Sequence, residues 1–190
     1  MDLTLDLLRE KLKTWKGCPL AEKSNPVLGE GNPEAEIMFI GEAPGEQEDK
    51  LGRPFVGPAG KLLDQLLSGI GLKREEVYIS NVVKYRPPAN RDPTDEEKKQ
   101  CMPWLMLEIA IIRPKVIVPL GRHALGHFFT TLNISAAHGK EHRLPNGTVV
   151  VPIYHPAAAL HNPGLRSALE NDFLALKAAL EHLRSPVSAT

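Results

Sequence analysis

Four short apolar runs constrain this chain more than any other feature: "EIMFIG" at 36–41, "EVYISNVV" at 76–83, "KVIVPLG" at 115–121 and the segment 148–153. Each has the length and the β-branched content of a buried strand. Helical patterns separate them. Leu62, Leu63, Leu66 and Leu67 recur at helical spacing in "AGKLLDQLLSGIG" (59–71), with Gly71 as the stop. Thr94 and Glu97 form a capping box that opens a helix running to about Ile112. A short helix is expected from Arg122 to Phe129, and a leucine- and alanine-rich one from about Leu165 to Leu183. At the start, Leu5, Leu8 and Leu12 mark one helical stripe within residues 2–15, while Asn146-Gly147 predicts a tight hairpin turn before the last strand. Strands alternating with helices predict an α/β fold around a largely parallel sheet. With 190 residues and 42% hydrophobic content, the chain can bury a sizeable core as one domain spanning 1–190, with "SPVSAT" at the end as a frayed tail.

The charge balance narrows the partners. Lys+Arg and Asp+Glu both number 23, so a face for nucleic acid would have to be a local basic patch. No apolar run approaches the length of a membrane span, and "MDLTLDLLREKLKTWKG" lacks the apolar core of a signal peptide. The reading is a soluble cytoplasmic protein. Cys18 and Cys101, the two cysteines, make no Cys-x-x-Cys pair, so the spacing indicates neither a disulfide framework nor a self-contained zinc site.

The polar residues gather where the strands end. "GEAPGEQEDKLGRPFVGPAG" at 41–60 follows the first strand and holds five glycines, three prolines and four carboxylates, but a single aromatic, Phe55. Asn81 falls near the carboxyl end of the second strand, and His155 just past the last. In open α/β sheets that edge is where ligands bind, so Glu42, Phe55, Asn81 and His155 are candidate site residues. Taken one at a time, the glycines could serve a tight turn, Asn81 a strand-end cap and His155 a strand terminus. Their convergence is the stronger signal.

Three stretches, "GEAPGEQEDKLGRPFVGPAGKLLDQLL", "VYISNVVKYRPPANRDPT" and "HPAAALHNP", resemble the signature segments of the family-four uracil-DNA glycosylases, and "GEGNP" at 29–33 and "KVIVPLG" fit the same pattern. The resemblance implies a three-layer α/β/α sandwich around a four-stranded, mostly parallel sheet. It also implies excision of uracil from deaminated DNA, at the start of base excision repair, by a monomer that acts on uracil-containing DNA. An enzyme that does chemistry on a base takes that base out of the duplex into a tight pocket, and glycines such as Gly41 let backbone come close to it.

Carried over position by position, the resemblance gives each residue a role. Phe55 stacks on the flipped base, which lends affinity without choosing between bases. Asn81 chooses: its amide offers an acceptor to uracil N3–H and a donor to O4, whereas cytosine presents the opposite pattern there. His155 donates to uracil O2 as the base leaves with negative charge. Glu42 orients the attacking water or opposes the positive charge growing on the sugar. Ala43 stands where better-studied relatives of the superfamily carry an aspartate, which predicts a smaller rate enhancement. Glu48 lies near C5 of the base and would help exclude thymine. The loop after His155 enters the duplex, with the wedge on Ala159 or Leu160. Lys84, Arg86, Arg91 and Arg166 are the candidate phosphate contacts.

The same resemblance exposes a departure. Family-four enzymes hold a four-iron cluster on four cysteines; here Cys18 and Cys101 match two of those positions, and the other two fall on Trp15 and Tyr85. Thiolates are the usual ligands of such clusters, and two cannot hold one. No cofactor and no metal ligand set is therefore expected, with Trp15 and Tyr85 filling the vacated volume. Two other functions fit parts of the sequence: a catalytically weak or inactive uracil-DNA binding protein of the same superfamily, and a nucleotide-binding α/β enzyme. The second is disfavoured, because "GEAPGEQEDK" has neither a P-loop lysine nor a dinucleotide fingerprint, and its carboxylates would repel phosphate.

Overall fold

The computed structural model describes residues 3–185. The expected tail from Ser185 onward lies almost wholly outside that range. In chain order the elements are α1 (Leu5–Thr14), β1 (Glu30–Gly31), β2 (Ile37–Gly41), α2 (Glu46–Leu51), α3 (Pro58–Gly69), β3 (Tyr78–Asn81), α4 (Asp95–Ile112), β4 (Val116–Pro119), α5 (Gly121–Phe128), α6 (Ile134–Ala137), β5 (His142–Arg143), β6 (Val149–Val150), α7 (Pro156–His161) and α8 (Gly164–Arg184).

The sheet order is β1-β3-β2-β4-β6-β5. The inner strands β3, β2, β4 and β6 are mutually parallel. This is the four-stranded sheet the sequence implies. Two-residue antiparallel strands, β1 and β5, are added at its edges. The Asn146-Gly147 turn joins β5 to β6, with Gly147 at φ +88° as such a turn requires. The ladder of the last strand is shorter than the apolar run 148–153: past Val150 the pairing continues as a single parallel bridge from Ile153 to Leu120.

Period-two alternation divides the strands between two cores. Ile37, Phe39, Ile79, Val116 and Val118 face one side, where Leu63 and Leu67 of α3 and Phe173 and Leu176 of α8 cover them. Met38, Ile40, Tyr78 and Ile117 face the other, under Leu8 and Leu12 of α1 and Leu105 of α4. The result is three layers. α4 starts where its sequence says: Thr94 Oγ1 accepts from the Glu97 N–H, and the Glu97 carboxylate accepts from the Thr94 N–H. α3 ends at Gly69, and Gly71 takes φ +79° just beyond.

Candidate active site

The carboxyl ends of the parallel strands deliver the site. β2 ends at Gly41 and β3 at Asn81, in register with each other, and the chain beyond β6 brings in His155 as the N-cap of α7. A cavity of about 540 Å³ opens there, lined by Glu42, Ala43, Glu48, Phe55, Asn81 and His155 among others. That volume lies in the range of small-ligand pockets.

Gly41 has no room for a side chain: a Cβ would sit 2.4 Å from Asn81 Oδ1 and 2.6 Å from the Phe55 ring. Amide and aromatic ring thus close over bare backbone. Phe55 is buried and holds φ +50°, a left-handed conformation that costs a non-glycine residue on the order of 1–2 kcal/mol. Its neighbours enforce it. Arg74 donates to the carbonyls of Pro54 and Phe55, and Glu48 Oε1 accepts from the N–H groups of Val56 (2.8 Å) and Gly57 (2.7 Å). At Gly60 a Cβ would fall 1.9 Å from the Phe55 carbonyl oxygen. Glu48 therefore has a task that the sequence did not reveal, holding the loop that presents Phe55.

His155 faces the Phe55 ring, centroid to centroid 5.7 Å. Its Nδ1 accepts from the Ala157 N–H at 3.1 Å, so the proton of the neutral ring sits on Nε2. Burial pushes its pKa down to about 4, so the ring is neutral near neutral pH. Asn81 is 2% exposed, and its Oδ1 has no hydrogen-bond partner among the described residues. Buried polar atoms are nearly always paired, so this acceptor stands open to whatever occupies the cavity.

Glu42, the residue after Gly41, also lines the cavity. Burial first, and then the nearby Asp92 charge, push its pKa up to about 7, against the opposing pull of Lys98 and Arg122. It has a neighbour that the sequence analysis passed over, His123, in the first turn of α5. Glu42, Asp92 and His123 bring their polar atoms within 4.8 Å of one another. Arg122 donates to His123 Nε2 at 3.0 Å and to Asp92 at 3.3 Å. A guanidinium donating into the group makes it a hydrogen-bonded chain, and its charge works against a cation. A histidine directly after a parallel strand was the available signal.

The expected DNA contacts divide. Lys84 is a correction: it is fully buried, and its ammonium group is shared among Glu108, Ser80 Oγ (2.8 Å) and the Asn81 carbonyl (2.6 Å). A proline-rich loop looked like surface, but Glu108 on α4 draws the side chain inward. Arg91 and Arg166 are exposed and Arg86 is partly so, each beside a carboxylate: Glu97, Glu170 and Glu46 respectively. Ala159 is buried on the core-facing side of α7, whereas Leu160 on the same helix is 45% exposed and lines the pocket.

Fold and site together define a class: an α/β protein with a pocket at the carboxyl edge of its sheet, walled by an aromatic ring and an open amide acceptor. Comparison with known proteins supplies the family. Residues 28–184 match the family described as Uracil DNA glycosylase superfamily, and the chain belongs to it. It is 50% identical over 180 residues to a type-4 uracil-DNA glycosylase of Sulfurisphaera tokodaii, covering 90% of this chain and 82% of that one. The type-4 enzyme of Saccharolobus solfataricus is 48% identical over 93% of this chain and 86% of its own. That of Thermotoga maritima is 47% identical over 83% and 84%. The chain is a variant of the type-4 group with two cysteines in place of four.

The residues at the cluster position do not fit a four-iron group. Cys18 and Cys101 are buried thiols, two of the four thiolates such a cluster takes, and an indole and a phenol stand beside them in place of the others. Trp15, half-buried, stacks on Tyr85 at 6.0 Å and meets Trp104 edge-on at 5.4 Å. Tyr85 is buried and donates to the carbonyls of Leu12 and Trp15. Trp104 is a third aromatic that the sequence analysis did not include.

Proposed function

We propose that this chain excises uracil from DNA as a monofunctional glycosylase, and that it does so as a single-domain, cytoplasmic monomer without an iron–sulfur cluster. The observation that carries the reading is the open Asn81 Oδ1 beside the Phe55 ring. An acceptor fixed at the edge of a stacking platform is the complement of uracil N3–H, and the amide nitrogen complements O4. A flipped cytosine would set acceptor against acceptor there, at a cost on the order of a few kcal/mol.

In the reaction the C1′–N1 bond breaks and its electron pair leaves with the base. The neutral His155 donates its Nε2–H to O2, where negative charge grows. A water oxygen forms the new bond to C1′, Glu42 receives the water's proton, and that proton is then available to the uracil anion. A carboxyl group with a pKa of about 7 is well matched to this exchange at neutral pH. Leu160, exposed at the rim, serves as the duplex wedge. Arg86, Arg91 and Arg166 exchange carboxylate partners for phosphates. Among the described residues no lysine lines the cavity, so no Schiff base forms and the strand stays intact. Incubation with a uracil-containing oligonucleotide should release free uracil and leave a site that breaks only on alkaline treatment. Scission without alkali, or an untouched oligonucleotide, would refute the reading.

The missing cluster is supported by ligand chemistry. Aromatic packing among Trp15, Tyr85 and Trp104 ties the N-terminal segment to the loop after Asn81. Protein purified without air should be colourless and free of iron; a brown product with stoichiometric iron and sulfide would overturn the assignment.

A further inference from the structure

The relation of His123 to Glu42 goes beyond anything the family membership implies, and it rests on the reading of Glu42 as the proton acceptor. Glu42 Oε1 is buried without a hydrogen-bond partner among the described residues. His123 Nδ1 lies 3.5 Å from that atom. Two groups compete for His123 Nε2: the Arg122 Nε–H donates to it at 3.0 Å, and Asp92 Oδ2 lies 3.1 Å away. Where the Arg122 bond sets the tautomer, the proton of the neutral imidazole is on Nδ1, 3.5 Å from Glu42 Oε1.

We propose that His123 is the positioning residue of Glu42: its Nδ1–H is the donor that aims the carboxylate and favours its ionised form until the attacking water's proton arrives. The 3.5 Å separation tightens as the water and sugar enter, in the way catalytic hydrogen bonds of free enzymes commonly do. Asp92 and Arg122 hold the far side of the ring, at 3.1 Å and 3.0 Å from Nε2. Burial, with Arg122 and Lys98, keeps His123 below its ordinary pKa, so it remains a neutral donor. The charges facing the Glu42–His123 pair are Asp92 from the loop before α4, Lys98 from α4, and Arg122 from α5. His127 lies one turn further along α5, and His155 and Glu48 share the lining of the same cavity.

Single-turnover excision of uracil from a labelled oligonucleotide, followed from about pH 5 to about pH 9, tests this through the acid limb of the rate. Protonated Glu42 cannot take the water's proton, so the wild-type rate should fall as pH drops through about 7. His123→Leu keeps volume but has no donor, so the midpoint should move up by about one unit, with a roughly tenfold rate loss below it. His123→Asn, whose amide nitrogen can stand near the place of Nδ1, should return the midpoint to the wild-type value. The DNA concentration at half-saturation should stay within about twofold in both, because His123 does not touch substrate. Glu42→Gln separates the two levels. If it abolishes the acid limb while His123→Leu leaves the midpoint in place or lowers it, the His123 proposal alone is overturned. If Glu42→Gln keeps the wild-type rate and profile, the role of Glu42 falls and that of His123 with it.

Discussion

Two polar clusters meet at Asn81, and they obey opposite rules. Behind it, Lys84, Glu108, Tyr78 and Ser80 are fully buried, and their polar atoms are paired. The Lys84 ammonium uses its three donors on Glu108, Ser80 and the Asn81 carbonyl. Glu108 also accepts from Tyr78, Ser80 and the Gly29 N–H. In front of it, Asn81 Oδ1 and Glu42 Oε1 have no hydrogen-bond partner among the described residues, and Phe55 sits in a left-handed conformation. The paired cluster is scaffold, since burying charge is tolerable only when each group is satisfied. The open one carries the cost of unmet hydrogen bonds, which a substrate can relieve. One residue belongs to both, with its backbone carbonyl in the scaffold and its side chain in the site.

The comparison breaks first if the scaffold proves dispensable. Glu108→Ala strands a buried ammonium group and should lower stability in chemical denaturation by about 3–5 kcal/mol. A loss below about 1 kcal/mol, the range of an exposed ion pair, would show that water already reaches the cluster. The pocket should respond the other way. His155→Ala should slow single-turnover excision about a hundredfold, as loss of one donor to a developing anion does, while the unfolding transition stays near that of wild type. Asn81→Ala should slow it at least about tenfold. The smallest effect sharpens the contrast most: Asn81→Leu removes an unpaired buried acceptor, so its stability should change by less than about 1 kcal/mol, with either sign. A destabilisation as large as that of Glu108→Ala would place the Asn81 side chain in the scaffold.

Legibility in the sequence followed the same division. Local signals were read correctly wherever the physics is local. The Thr94–Glu97 capping box opens α4 as expected, because both bonds lie within four residues. The leucine spacing in "AGKLLDQLLSGIG" was enough to place α3, because all four leucines lie within three turns. The motif residues Glu42, Phe55, Asn81 and His155 could be placed at one edge, because parallel strands must all end on the same side.

Lys84 was misread because nothing near it in sequence announces its partner: Glu108 lies on the far turns of α4 and reaches it only when that helix covers β3. Trp104 joins Trp15 and Tyr85 by the same route. Glu48 lines the cavity as the motif suggests, and its second task, Oε1 accepting from two backbone amides, appears only once the folded loop aligns them. His123 drew no notice within "GRHALG", since its meaning comes from Glu42, a strand and more than one helix away. The sequence by itself determined the main elements, the largely parallel sheet and the edge at which chemistry is placed, since these follow from periodicity, capping and the alternation of strands with helices. Which polar groups are spent on the fold and which stay open for a ligand was decided only in three dimensions, because hydrogen-bond satisfaction is a property of neighbours that the chain brings together from far apart.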